Sequence, residues 1–117
     1  MVTAEPVGTQ LVILEPDGRL TAETAHEFTR IVSRCLRRGW HDVIVDLRFV
    51  NYLDSAGLGA LAHAYLASQR RGGRLAFVNV GERSLELLRV TKLLTVFDIY
   101  CSTAEAERSF DRPEVNA

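Results

Sequence analysis

The stretch Asp54-Ser55-Ala56-Gly57-Leu58-Gly59 lies at the junction between an apolar strand pattern and a helix pattern. Strands that alternate with helices along a chain are typical of α/β proteins with a mostly parallel sheet. Ser55 is the only hydroxyl of the stretch and is flanked by the carboxylate of Asp54 and by two glycines. The stretch therefore bears on the fold and also presents a candidate functional residue.

Strand and helix patterns precede this junction. Residues 11–14 form a short run of branched apolar side chains that ends at the turn Pro16-Asp17-Gly18, and an edge strand near Val7 is compatible with the pattern. We expect Thr21 to cap a helix that ends near Gly39. The apolar side chains of that helix recur at helical spacing and are Phe28, Ile31, Val32, Cys35 and Leu36.

Residues 43–47 form the next strand, which is apolar on both faces as a central parallel strand would be. Residues 48–53 are predicted as a loop that leads into the Asp54 stretch. A second helix follows and ends at residues 70–73, where two arginines precede two glycines. Its predicted buried face consists of Leu58, Leu61, Ala62, Tyr65 and Leu66.

The alternation continues to the end of the chain. It predicts a strand at residues 75–78, a short helix with Leu85, Leu87 and Leu88, and a strand around residues 96–100. Ser102 and Glu105 match a capping box for a final helix that reaches about Phe110. The prediction is one α/β domain over residues 1–110, with a mixed, mostly parallel sheet of four to five strands and about four helices. Residues 111–117 are predicted to be a disordered tail.

Composition narrows the classes of function. A chain of 117 residues, 47% hydrophobic and 25% charged, matches one soluble domain. Its net charge of −1 gives no overall attraction to nucleic acid. No apolar run approaches the roughly 20 residues that span a bilayer, and no signal peptide is recognisable, so we expect a cytoplasmic protein. Cys35 and Cys101 match no metal spacing and are expected to be buried thiols in a reducing compartment.

Two interpretations of Ser55 arise from the residues alone. As an N-cap, its hydroxyl would accept a backbone hydrogen bond and contribute about 1 kcal/mol. That role leaves Gly57 and Gly59 unexplained, since each glycine in a helix costs roughly 1 kcal/mol relative to alanine. Glycines would let another molecule approach the backbone, and a helix N-terminus favours an anion such as a phosphate on Ser55. The second interpretation is therefore a phosphorylation switch beside Asp54.

Sequence signatures of enzymes are weak in this chain. Residues 57–62 match the dinucleotide pattern G-x-G-x-x-A, but they lie too far after the strand, and no acid follows at the position that would bind ribose. Ser55 lacks the G-x-S-x-G context of a nucleophile, and no motif links it to His26, His41 or His63. No metal-ligand spacing is present. We expect neither catalysis nor a cofactor.

Arginine clusters stand at the ends of the first two helices. Arg37-Arg38 and Arg70-Arg71, with Arg74, lie at or beside glycines, where cations complement the helix dipole. A basic patch that recruits an acidic partner is the alternative interpretation.

The order of elements together with the Asp54 stretch resembles the STAS domain, and specifically its bacterial anti-sigma factor antagonist branch. The resemblance covers about residues 7–110. Besides the Asp54 stretch, it is carried by Gly18-Arg19-Leu20, by Val45-Asp46-Leu47 with Val50 and Tyr52, by Gly72-Gly73-Arg74-Leu75, and by Leu85 to Leu88. The resemblance implies a β/α superhelix and places the phosphoacceptor of the family on Ser55.

The resemblance also implies partner switching. An unphosphorylated antagonist binds an anti-sigma factor and so frees a sigma factor. The anti-sigma factor is usually the serine kinase, and a metal-dependent serine phosphatase resets the cycle. The residues expected to contact the partner are Thr21, Asp54, Ser55, Ala56, Gly57, Leu58 and Gly59. The alternative is a STAS-type accessory subunit that docks permanently on a transporter or signalling complex without a phosphate cycle.

Three positions depart from the pattern of the family. Thr21 stands where many antagonists have an acid, so it cannot pair with a cation on the kinase. Ala56 replaces a Ser or Thr, which leaves Ser55 as the only acceptor in the stretch. Thr91-Lys92-Leu93 replaces a glycine-containing helix end, so the third helix must be terminated differently.

Overall fold

The computed structural model, which describes residues 1–111, places the apolar strand patterns side by side in a mixed sheet. The strands are β1 (Val2–Val7), β2 (Leu11–Pro16), β3 (Gly18–Leu20), β4 (Asp42–Asp46), β5 (Val50–Leu53), β6 (Arg74–Val78) and β7 (Asp98–Tyr100). The helices are α1 (Ala25–Arg37), α2 (Ser55–Arg70), α3 (Glu82–Val90) and α4 (Thr103–Asp111), and a 3₁₀ turn spans Leu93–Thr95.

The main sheet has the order β1-β2-β4-β6-β7. Within it, β1 pairs with β2 antiparallel, and every other neighbouring pair is parallel. Parallel strands need a crossover connection, which the intervening helices supply. The predicted α/β class, the mixed and mostly parallel sheet, and the helix number are confirmed over the described residues.

Successive side chains of each central strand point to opposite faces of the sheet. Val43 and Val45 of β4 face the cluster formed with α1, α2 and α3, whereas Ile44 faces α4. Phe28 of α1 and Leu61 of α2 are fully buried in the larger cluster. Burial on both faces explains why the central strands are almost continuously apolar.

The prediction that residues 48–53 form a loop is wrong, because part of this segment belongs to a second, two-stranded sheet. Strand β5 lies within this segment and pairs in parallel with β3. The backbone N–H of Gly18 donates to the carbonyl oxygen of Phe49 at 2.9 Å, and Leu20 is in register with Leu53. Both strands are short and partly exposed, so their sequences carry little of the apolar pattern that predicts strands. We call these paired strands the β3–β5 ribbon.

The start of α1 differs from the prediction. Thr21 does not cap the helix, which begins at Ala25 with Thr24 at the N-cap. The carbonyl oxygen of Thr21 instead accepts hydrogen bonds from the N–H groups of Thr24 and Ala25, so a turn precedes the helix. The Thr24 hydroxyl accepts from the N–H of Thr21 and donates to the carbonyl oxygen of Arg19.

The end of α3 is built without glycine, as the sequence requires. Lys92 adopts a left-handed backbone with φ of +66°, which is uncommon for a residue with a side chain. The Thr91 hydroxyl lies within hydrogen-bond distance of the carbonyl oxygens of Leu87, at 2.8 Å, and Leu88, at 3.2 Å, and so provides a donor for the last carbonyls of the helix.

The capping box predicted for α4 is present in a shifted form. Ser102 Oγ accepts from the N–H of Glu105, and the Glu105 carboxylate accepts from the N–H of Cys101. The predicted strand around residues 96–100 is shorter, since β7 begins at Asp98. Of the tail predicted over residues 111–117, Asp111 is instead the last residue of α4, and residues 112–117 lie outside the described residues.

Candidate functional site

Ser55 is the first residue of α2, and its side chain is exposed. Strand β5 ends two residues earlier, at Leu53, so only Asp54 separates the β3–β5 ribbon from the N-terminus of α2. Within residues 1–111, no hydrogen bond occupies the Ser55 hydroxyl, which is available to an enzyme or a partner in solvent.

Asp54, rather than Ser55, is the N-cap of α2. Its backbone is extended, and Asp54 Oδ1 accepts a hydrogen bond from the N–H of Gly57 at 2.9 Å. The capping interpretation of Ser55 is therefore wrong, because the preceding carboxylate reaches the same backbone amide. An aspartate at this position also places a negative charge at the positive end of the helix dipole.

The two glycines of the first turns have different environments. Gly57 is buried, and a Cβ there would lie 2.0 Å from the carbonyl oxygen of Leu20. The interpretation that Gly57 exposes backbone to another molecule is therefore wrong, because it permits close packing of α2 on the ribbon instead. Gly59 is exposed, and a Cβ there would meet nothing within 4 Å. Only Gly59 leaves room for another molecule.

The remaining residues of the expected contact set divide between surface and interior. Thr21 is 6% exposed and Leu58 is 7% exposed, so their side chains belong to the core. Asp54 and Ala56 are half-buried. The structure therefore brings Asp54, Ser55, Ala56 and Gly59 to the surface, while the buried residues of the set support them from below.

The β3–β5 ribbon also presents an aromatic residue that the sequence pattern does not identify as a candidate contact. Tyr52 is 45% exposed, and the Arg19 guanidinium lies 4.7 Å from the centre of its ring. Such a cation–π contact holds both side chains at the surface. Phe49, three residues earlier in the chain, is 52% exposed. Tyr52 is among the residues that carry the resemblance to the STAS domain. The sequence does not show that its side chain is exposed, because that exposure depends on how the ribbon folds.

A cleft adjoins this surface. It has a volume of about 310 Å³ and is lined on one side by residues 50–53 of β5 and on the other by residues 81–84 at the start of α3. Tyr52 lines the cleft and precedes Ser55 by three residues in the chain. A partner that covers Ser55 has both a protruding ring and a concave surface beside it.

A buried carboxylate fixes the segment that leads into the ribbon. Asp46 is 1% exposed at the end of β4, and Oδ1 accepts from the backbone N–H of Arg48 at 2.9 Å and from Asn79 Nδ2 at 3.1 Å. Arg48 Nη2 also lies 3.4 Å from Asp46 Oδ2. These contacts tie the ends of β4 and β6 to the start of the ribbon.

Other predicted features can also be placed. Cys35 is buried and Cys101 is exposed, both as free thiols, so the prediction of two buried thiols is wrong for Cys101. Leu66, predicted on the buried face of α2, is 49% exposed. Between residues 1 and 111, no group of histidine, cysteine and acidic side chains is arranged to hold a metal ion. The described helices include none with the length and apolarity needed to cross a bilayer.

Comparison with known proteins agrees with this architecture. Residues 2–106 match the family model of the STAS domain. A Thermotoga neapolitana protein, named as a candidate anti-sigma factor antagonist, is 31% identical over 97 residues, which are 82% of this chain and 86% of that protein. The match therefore extends over most of both sequences.

Solved structures share the fold. The crystal structure of a candidate anti-sigma factor antagonist from Thermotoga maritima has a TM-score of 0.89 at 28% identity and covers 95% of both chains. The Bacillus anti-sigma factor antagonist SpoIIAA covers 97% of this chain in its unphosphorylated form and 96% in its phosphorylated form, and all of its own length is matched in both. The TM-scores are 0.80 and 0.76 at 14% and 16% identity.

Proposed function

Because this chain belongs to the STAS domain family and to its anti-sigma factor antagonists, we propose that it binds an anti-sigma factor through the surface around Ser55 and releases it when Ser55 is phosphorylated. Antagonists of this family are binding proteins, and the chain is not an enzyme. The proposed partners are an anti-sigma factor with serine kinase activity and a metal-dependent serine phosphatase, which would act on the chain as their substrate.

The observation that carries this proposal is the free, exposed hydroxyl of Ser55. Because the Asp54 carboxylate already caps α2, the fold does not need the Ser55 hydroxyl. A kinase could modify it without breaking a contact that holds the helix. SpoIIAA, which has the same fold, exists in unphosphorylated and phosphorylated forms.

The position of Ser55 supports an electrostatic switch. A phosphate would add about −1.5 to −2 charges directly beside the Asp54 carboxylate. Two unit charges about 4 Å apart interact by about 1 to 4 kcal/mol, depending on screening, and about 1.4 kcal/mol changes an affinity tenfold. One phosphate is therefore enough to release a partner that fits the neutral serine.

The proposed contact surface consists of Asp54, Ser55, Ala56 and Gly59, extended by Tyr52 with its stacked Arg19. Gly59 offers backbone at which a partner can approach closely. Tyr52 offers apolar area with a polar end, which is typical of residues that dominate binding energy. Thr21, Gly57 and Leu58 act from the interior by holding the ribbon and α2 together.

The test measures phosphorylation and binding with the same variants. The chain is incubated with ATP, magnesium and a candidate anti-sigma factor of the serine-kinase type, and its mass and affinity are then measured. We expect one added phosphate on the unmodified chain and none on Ser55→Ala, which still binds. Ser55→Asp should bind at least about tenfold more weakly.

Ser102→Asp is the matched control. Ser102 is also exposed and lies at the start of a helix, but α4 is on the opposite face of the sheet. Aspartate caps a helix as well as serine does, so this variant adds the same charge without harming the fold. It should bind like the unmodified chain. Tight binding by Ser55→Asp would contradict the switch and would support the constitutive accessory subunit instead.

A further inference from the structure

A cleft between α1 and α2 is lined by basic side chains and lies far along α2 from Ser55. Its volume is about 250 Å³, and Arg37, His63, Arg70 and Arg71 line it together with Ser33, Leu36 and Ala67. Ser55 and Arg70 are the first and last residues of α2. At 1.5 Å per residue, they are separated by roughly 22 Å along the helix axis.

The charge of this region is one-sided. Residues 28–41 and 55–81 contain no Asp or Glu, although the whole chain has 15 acidic residues. In the described part of the chain, the guanidinium groups of Arg37, Arg70 and Arg71 form no ion pair with a carboxylate. The chain carries a net charge of −1, so this cleft is a local positive region on an otherwise balanced molecule.

Helix ends account for only part of this charge. Arg71 Nη1 donates to the carbonyl oxygen of Leu36 at 3.3 Å and so binds the end of α1. Two helix C-termini carry about −0.5 charges each, which one arginine would balance. The side chains of Arg37 and Arg70 are exposed, and their guanidinium groups make no hydrogen bond to another described residue. Their charges remain available to a ligand.

We infer that this basic cleft is a docking site for an acidic segment of a partner protein, independent of phosphorylation at Ser55. Carboxylate side chains complement the fork of an arginine guanidinium, and a concave site admits side chains that project from an extended segment. Leu66, exposed on α2 between His63 and Arg70, provides an apolar contact beside the charges.

The lining favours a protein over nucleic acid or a membrane surface. Binding of single-stranded nucleic acid uses aromatic side chains for base stacking, and none lines this cleft. Binding to a lipid surface uses an apolar helix face, whereas Leu66 is the only large exposed apolar side chain on α1 or α2. The small, concave and arginine-lined shape fits inserted carboxylates better than a flat anionic surface.

The test uses a short fluorescein-labelled peptide of alternating glutamate and glycine, with the full chain at low salt. We expect binding that shifts the amide NMR signals of Ser33, His63 and Ala67 and leaves those of Tyr52 and Ser55 in place. Arg37→Ser combined with Arg70→Ser should weaken binding about tenfold. Higher salt should weaken binding further, because exposed charges are screened.

Arg83→Ser combined with Arg108→Ser is the control, since it removes the same charge from α3 and α4. Equal losses in both double variants, or no loss in either, would overturn the inference. Tighter binding to anionic lipid vesicles or to single-stranded RNA than to the peptide would also overturn it. Because Ser55 is intact and Arg37 and Arg70 lie outside the surface around it, phosphorylation of the Arg37→Ser, Arg70→Ser variant can be measured in parallel, so failure of this inference is separable from failure of the switch.

Discussion

The carboxylate of Asp54 and the backbone N–H of Gly57 form the 2.9 Å hydrogen bond that caps α2. Because of this contact, the adjacent residues Asp54 and Ser55 have different roles. Asp54 holds the helix, and Ser55 is left exposed with its hydroxyl free. A residue that must be modified reversibly is better placed when the fold does not depend on it.

Asp54→Ala should lower the free energy of unfolding by about 1 kcal/mol, because the cap of α2 is lost. Asp54→Ser should recover most of this loss, since serine also accepts the hydrogen bond. Ser55→Ala should change the stability by less than about 0.5 kcal/mol. Urea unfolding of the three variants measures these differences. A larger loss in Ser55→Ala than in Asp54→Ala would show that the hydroxyl is the cap.

Two alanine substitutions, two residues apart in α2, should act in opposite directions. Gly57→Ala places a Cβ 2.0 Å from the carbonyl oxygen of Leu20, so we expect a loss of several kcal/mol and separation of the ribbon from α2. Gly59→Ala meets no atom within 4 Å and should raise the stability by up to about 1 kcal/mol. Thermal unfolding distinguishes them. Equal effects would contradict the packing difference.

Gly59→Ala also tests function. We expect this variant to be more stable and yet to bind its partner less well. If Gly59 is kept as glycine so that a partner can approach the backbone, the added methyl group obstructs that approach. Unchanged affinity for the anti-sigma factor would remove Gly59 from the proposed contact surface.

The sequence predicts the main sheet well because its signals are local and repeated. Leu75, Ala76, Phe77 and Val78 form one short strand that is buried on both faces, which is typical of a central strand in a parallel sheet. The β3–β5 ribbon could not be predicted in this way. Its pairing joins Leu20 with Leu53, which are distant in the chain and surrounded by exposed residues.

The sequence predicts that Ser55 lies where a strand gives way to a helix, but it does not predict how the residues around Ser55 contact one another. The residues next to Ser55 indicate that it is a candidate site. They do not show whether the side chain of Asp54 or that of Ser55 accepts the hydrogen bond from the Gly57 N–H. Both Asp and Ser are favoured N-caps, so sequence preference does not decide between them. The role of Gly57 likewise depends on Leu20, a contact between segments that only the folded chain brings together.

Asp46→Ala should destabilise the chain by about 2 to 4 kcal/mol, because it removes a buried carboxylate and leaves the Arg48 N–H and the Asn79 amide without their acceptor. Asp42→Ala is the control. Asp42 lies 3.7 Å from Arg74 Nε in a half-exposed pair, which is worth about 0 to 1 kcal/mol. Urea midpoints compare the two variants. Similar midpoints would contradict the central role of Asp46.

Cys35 should make the stability fall in mildly alkaline solution. Burial raises the pKa of the Cys35 thiol above its ordinary 9.0, and Arg38 and Arg34 oppose the shift. The folded chain therefore keeps this proton after the unfolded chain has lost it, and the free energy of unfolding decreases as pH rises through about 9 toward the folded pKa.

Cys35→Ala should flatten this decrease between about pH 8 and 10. The comparison stops at about pH 10 because burial also raises the pKa of Tyr65 above its ordinary 10.0. Tyr65 therefore contributes a similar decrease in stability at higher pH. Urea unfolding at several pH values gives the slopes. An unchanged slope in Cys35→Ala would contradict the assignment to Cys35.

Tyr52→Ala should weaken binding to the anti-sigma factor by about tenfold or more, since exposed tyrosines at the centre of an interface often contribute about 2 kcal/mol. Tyr52→Phe should retain most of the affinity because the ring still stacks under Arg19. Val96→Ala is the control, as Val96 is 48% exposed but follows the 3₁₀ turn rather than the ribbon. Titration calorimetry gives the affinities. If Val96→Ala weakens binding as much as Tyr52→Ala, the partner covers a different part of the surface, and the contact set around Ser55 must be redrawn.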